Sequence, residues 1–149
     1  MTRELTIPEK LLKEATDFIG LQEIRGSEHN ETILAMFSDI GHSWVKDDET
    51  AWCSCFINYI AKQCGVTMSN KLNARSWLKV GEEIKYPLPG DVVIFWRESK
   101  DSWKGHVGLF AGYNKAGNIF VLGGNQGNEV NITLYNSERL LGFRRLIKE

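Results

Sequence analysis

Apolar positions in the first half of the chain recur at helical spacing, whereas in the second half they cluster or alternate, so the pattern predicts helices followed by strands. Pro8-Glu9-Lys10 opens a segment whose Leu11, Leu12, Ala15, Phe18 and Ile19 share one stripe until Gly20 stops it. Asn30 is placed to cap a second helix with Ile33, Leu34, Met36, Phe37 and Ile40 facing inward, ended by Gly41. A third runs from about Ala51 to Gln63 and stops at Gly65, and a shorter one around Asn73 to Val80 carries Trp77 and Leu78. The rhythm changes at the turn Pro87-Leu88-Pro89-Gly90-Asp91, after which Val92 to Trp96 is a continuous, branched, apolar run typical of a buried strand. Further strands are expected near 106–112, 118–124, 129–135 and 142–147. The expected class is α+β, with a helical half over about 1–82 and a strand half over about 83–149, the strands forming an antiparallel sheet or partly open barrel of about five strands.

The middle strands allow a test of register. A turn symmetric about Lys115-Ala116 pairs Leu109 with Leu122, Ala111 with Phe120, Gly108 with Gly123 and His106 with Asn125. Directly opposed side chains lie roughly 5 Å apart at Cβ, so the Asn125 amide oxygen can accept the imidazole N–H. A three-residue loop instead puts Gln126 across from His106. Paired Gly108 and Gly123 mark a place where another backbone or a substrate comes close.

A histidine held by an amide is the base of a thiol nucleophile when a cysteine meets it from elsewhere in the fold. Cys53 and Cys55 lie two apart on one helix and point to different sides, so only one faces the strands. With Thr50 as N-cap, Cys53 falls in the first turn, where free N–H groups and the helix dipole favour a thiolate and lower the thiol pKa. Cys55 lies deeper. Cys64, beside Gly65, reads as a small buried hydrophobe. His29 and His42 sit in polar surroundings and read as solvated. Asp47, Asp48 and Glu49 have the oxygens for calcium but read as dipole partners of the following helix.

Composition narrows the class. The 149 residues suit one domain, residues 1–149, able to bury about two thirds of its unfolded surface without disulfides. A net charge of −1 with scattered Lys and Arg argues against nucleic-acid binding. No run approaches the roughly twenty apolar residues of a membrane span, and the start lacks a secretory core, so synthesis in the cytosol and a monomeric state are expected. Three cysteines are an odd count and leave at least one thiol free.

Trp52-Cys53, Gly90-Asp91-Val92-Val93-Ile94-Phe95, Gly105-His106-Val107-Gly108 and Asn125 together resemble the CHAP domain, the cysteine- and histidine-dependent amidohydrolase/peptidases, and their NlpC-type relatives of the papain-like class. Ala74-Arg75-Ser76-Trp77-Leu78, Val121-Leu122-Gly123-Gly124-Asn125-Gln126 and Leu141-Gly142-Phe143-Arg144-Arg145 look like a subgroup common in bacteriophage genomes. The resemblance implies Cys53 as nucleophile, His106 as base and Asn125 as the orienting residue, with no metal or organic cofactor. It departs from many CHAP domains at Gly123, where they carry a glutamate. Implied too are a papain-like fold, bacterial peptidoglycan as substrate, and an endolysin released from the host cytoplasm to act on the cell wall. An exported antibacterial amidase suits the same residues. Two rivals belong to other classes: a catalytically silent wall-binding module, and a structural zinc held by Cys53, Cys55, Cys64 and His106. The second lacks the paired Cys-x-x-Cys spacing.

Overall fold

A computed structural model describes residues 4–22, 31–42 and 52–149. The expected Asn30 cap, His29, and Asp47 to Thr50 lie outside the described residues.

Helix α1 (Ile7–Thr16) starts one residue earlier than Pro8 because Thr6 and Glu9 form a reciprocal capping box, Glu9 N donating to Thr6 Oγ1 and Thr6 N to Glu9 Oε1. Helix α2 (Glu31–Asp39) buries Ile33, Met36 and Phe37. Helix α3 (Cys53–Gln63) is buried on nearly every side, from Cys53 through Asn58 and again at Ile60 and Ala61, which makes it the central helix of the helical layer. Its N-cap is Trp52, with no side-chain cap, rather than Thr50, so Cys53 is the first helical residue. The segment around Trp77 is a 3₁₀ helix, Ala74–Lys79.

The strands are β1 (Glu82–Ile84), β2 (Val92–Trp96), β3 (Gly105–Tyr113), β4 (Ile119–Gln126), β5 (Glu129–Tyr135) and β6 (Leu140–Arg145). They form one six-stranded antiparallel sheet in the order β1-β6-β2-β3-β4-β5. The count exceeds the expected five because β1 is only three residues long and carries no apolar alternation. The last strand lies two residues earlier than expected.

Val92 to Phe95 are buried on both faces of β2, as its continuous apolar run requires. One face of the sheet, with Val92, Ile94, Val107, Leu109 and Leu122, packs on the helices. The other gathers Val93, Phe95, Phe110, Val121 and Phe143 into a second cluster. Asp91 ties the layers at the turn before β2. Its buried carboxylate accepts Arg145 Nε at 3.0 Å, Arg145 Nη2 at 2.7 Å and Leu88 N at 2.6 Å. Arg144 donates to the carbonyls of Val80 and Gly81 at 2.8 and 2.9 Å, fastening β6 to the chain leading into β1. The Gly-Asp and Arg-Arg motifs thus hold the scaffold. Among the described residues no helix is long and apolar enough to cross a membrane.

Candidate active site

Cys53 opens α3 and His106 is the second residue of β3. Helix α3 packs against β3, and the backbone N–H groups of Val107, next in chain to His106, of Ser54 and of Cys53 itself favour negative charge on the Cys53 sulfur. The helix start and the strand start therefore meet, and Cys53 forms part of the wall of a cleft of about 210 Å³. Cys55 is buried away from it and Cys64 is half-buried at the far end of α3. All three cysteines are free.

The residue that holds His106 is Gln126. His106 Nε2 lies 2.8 Å from Gln126 Oε1. The amide cannot be turned round, because its nitrogen donates to Val121 O, Asn131 O and Asn131 Oδ1 at 3.1, 2.8 and 3.0 Å. Its oxygen therefore faces the ring and accepts from Nε2–H, which leaves Nδ1 as the bare, basic nitrogen. That Nδ1 is buried without a hydrogen-bond partner. Asn131 is fixed in turn, receiving Thr133 Oγ1–H at 2.7 Å and donating to Gln126 O at 2.9 Å. Tyr135 closes the other side, stacked on the imidazole with centroids 5.0 Å apart and 17° between planes.

The expected register placed Asn125 opposite His106, and of two irregularities the second explains why the bond goes one residue further. The turn pairs Tyr113 with Ile119 and Gly112 with Phe120, and a bulge near Ala111 then restores Leu109 to Leu122 as expected. Beyond Gly123 the β4–β5 ladder breaks again until Gln126 meets Glu129. Within that break Asn125 has φ 57°, a left-handed conformation, and makes no bond to His106. The Gly127-Asn128 turn that follows has positive φ at both residues, the hairpin type with a matching twist.

The glycines make room for the protein's own side chains, not for a visitor. A Cβ on Gly123 would lie 2.7 Å from Gln126 Oε1 and 3.5 Å from His106 Nε2, and one on Gly124 would lie 2.7 Å from the Trp52 ring. One on Gly108 would collide with the Val121 side chain. Gly123 thus accounts for the missing glutamate: the space is filled by the Gln126 amide, arriving from three residues on.

Burial dominates the electrostatics. It pushes the Cys53 thiol up, with the Val107 N–H and the Arg97 charge pulling the other way. It lowers His106 to about 4, opposed by the bond to Gln126 and reinforced by Arg97. The expected lowering of the Cys53 pKa is therefore reversed in the free protein. Thiol and imidazole rest neutral, because burial of both groups outweighs the N–H groups of the helix start.

The cleft wall is built by a clamp that the sequence did not disclose. Arg75, from the 3₁₀ helix, donates Nε to Lys104 O at 2.9 Å, Nη1 to Lys100 O at 2.9 Å and Nη2 to Ser99 O at 3.0 Å, pinning the β2–β3 loop that carries Arg97 and Trp103. Beneath it, Trp77 Nε1 donates to Ser54 Oγ at 2.9 Å, and Asn58 holds Asn70 N at 2.8 Å. His42 contacts Asn70 O at 3.0 Å at the surface. Among the described residues no three His, Cys, Asp or Glu side chains converge as a metal site would need, so Cys53, Cys55, Cys64 and His106 do not form the zinc site considered from sequence.

The CHAP domain family model matches residues 45–125, which takes in Cys53, His106 and Asn125. No curated protein matches the sequence. Among solved structures, NlpC1 from Trichomonas vaginalis is similar with a TM-score of 0.60 and 17% identity, over 99% of this chain and 47% of that one. A lipoprotein-like NLP/P60 family protein from Staphylococcus aureus subsp. aureus Mu50 has a TM-score of 0.60 and 16% identity, over 100% of this chain and 44% of that one. An NlpC/P60 family protein from Bacillus cereus ATCC 10987 has a TM-score of 0.60 and 20% identity, over 95% of this chain and 41% of that one. The chain thus spans less than half the length of each, and the likeness is one of fold: helices against an antiparallel sheet, the papain-like arrangement expected from sequence.

Proposed function

The chain belongs to the CHAP domain family, and from that premise we propose that it is a cysteine amidase or endopeptidase that cuts an amide bond of bacterial peptidoglycan, as an endolysin does. The observation that carries this reading is the orientation of His106: Nε2–H is committed to Gln126, and Nδ1 is buried with no hydrogen-bond partner, the Cys53 sulfur included, on the strand that packs against the helix Cys53 opens. A base with no partner of its own awaits a proton.

In the proposed mechanism Nδ1 takes the Cys53 proton as sulfur attacks the amide carbonyl. Because both groups rest neutral, the transfer belongs to the attack itself and not to a standing ion pair. The N–H groups at the start of α3 stabilise the tetrahedral oxyanion, a contribution of about 3 kcal/mol per donor. The imidazolium then protonates the leaving amine, and water releases the thioester. Gln126, rather than Asn125, takes the orienting role.

Cys53→Ala tests it. Clearing of a purified peptidoglycan suspension is expected to fall at least about a thousandfold with an unchanged circular dichroism spectrum. Clearing that persists moves the nucleophile to another residue, and a wild type that clears nothing removes the enzyme reading and leaves a wall-binding module.

A further inference from the structure

One cation in the cleft acts on Cys53, His106 and the Tyr135 hydroxyl without taking a step in the chemistry above. Arg97 follows β2 directly, is exposed, and lines the cleft together with Cys53, Asn73 and Trp103. The neighbouring charged groups are already engaged. Lys104 Nζ is 2.8 Å from Glu98, and all three Arg75 nitrogens are spent on carbonyls. No carboxylate among the described residues pairs with Arg97.

We propose that Arg97 is a specificity-determining residue that binds a substrate carboxylate within about one residue of the scissile amide, so that the site selects stem peptides bearing a free carboxylate over their amidated forms. The inference deepens the hydrolase reading and rests on it. A guanidinium is the side chain best shaped to take a carboxylate through two parallel hydrogen bonds, and a half-enclosed apolar cleft strengthens that pairing. The free protein also has a reason to want the anion. Arg97 disfavours protonation of His106, the very event that amide attack requires, while favouring negative charge on Cys53. A substrate carboxylate on the guanidinium cancels that repulsion at the moment the imidazolium forms, so binding of the right substrate assists its own cleavage.

The test uses two disaccharide tetrapeptides that differ only in whether the α-carboxyl of the second stem residue is free or amidated. For the wild type, kcat/KM is expected to favour the carboxylate about ten- to a hundredfold, the usual worth of a charge-assisted bond. Arg97→Gln should bring the ratio close to one, and Arg97→Lys should leave it between. A wild type indifferent to amidation, or an Arg97→Gln variant that keeps the preference, overturns the inference while leaving the hydrolase reading in place. Should the wild type cleave neither compound, clearing of whole peptidoglycan still tests the hydrolase reading separately. Calorimetry of the same two compounds on the wild type and Arg97→Gln then decides alone: carboxylate binding weakened by the substitution supports the site, and equal or absent binding overturns it.

Discussion

His106 and Gln126 set the predictions that belong to single residues. The ring is fully buried, stacked on Tyr135, and bonded through one nitrogen only. Gln126→Ala removes the one group that fixes which nitrogen carries the proton, and kcat is expected to fall about a hundredfold or more, with Asn125→Ala close to wild type. Steady-state kinetics of the two variants check this; the reverse ranking would return the role to Asn125. The depressed basicity of His106 also sets a pH dependence. With the folded value near 4 and the ordinary value 6.5, the unfolded chain binds the proton first as pH falls. Stability is therefore whole above about 6.5 and lost progressively down to about 4, by about 3 kcal/mol from this residue. On the acid side kcat/KM of the still-folded protein should hold until pH approaches 4, since only then is Nδ1 occupied. A midpoint near 6.5 in the rate profile would contradict the buried, neutral imidazole.

At the level of elements, the helices and central strands were legible because each repeats one signal several times. Leu11 and Ala15 of the α1 stripe, the run Val92 to Phe95 and the β3–β4 hairpin with Leu109 opposite Leu122 stand where the pattern put them, whereas α1 ends at Thr16 and leaves Phe18 and Ile19 in the following turn, Ile19 exposed. Features resting on one residue's backbone were not legible. Alternation cannot show a bulge: the one near Ala111 only undoes a one-residue shift at the turn, and the one between Gly123 and Gln126 decides which amide meets the histidine. Gly123-Gly124 ahead of Gly127-Asn128 was the available hint, since two glycine sites so close together in a strand signal a broken ladder. Asn131 and Thr133 alternate along β5 as polar residues of one face, which marks a polar face but not what it supports. Long-range clamps such as Arg75 on the β2–β3 loop have no local signature at all.

Across the whole molecule, two layers are joined by an α3 that is buried on nearly every side and by a few polar ties. The most consequential tie is Asp91 with Arg145, a bidentate pair in which the carboxylate is wholly enclosed. Arg145→Ala leaves that charge buried without its partner, and a loss of about 3–5 kcal/mol is expected in urea unfolding. A loss below about 1 kcal/mol would mean that water reaches Asp91 once the guanidinium is gone. The cysteine-histidine meeting was legible as a pairing of distant segments, but the electrical state of the pair was not, because it depends on how much protein surrounds both groups.

Concealment of the Cys53 sulfur has a consequence for endurance. Peroxide and other oxidants consume thiolates, and they do so fastest where the sulfur is open to solvent. With only 6% of its residue surface exposed and its proton retained, Cys53 offers such reagents little to attack. On the proposed reading, such a sulfur would stay intact between encounters with substrate, and the working lifetime would be set by wear on the fold.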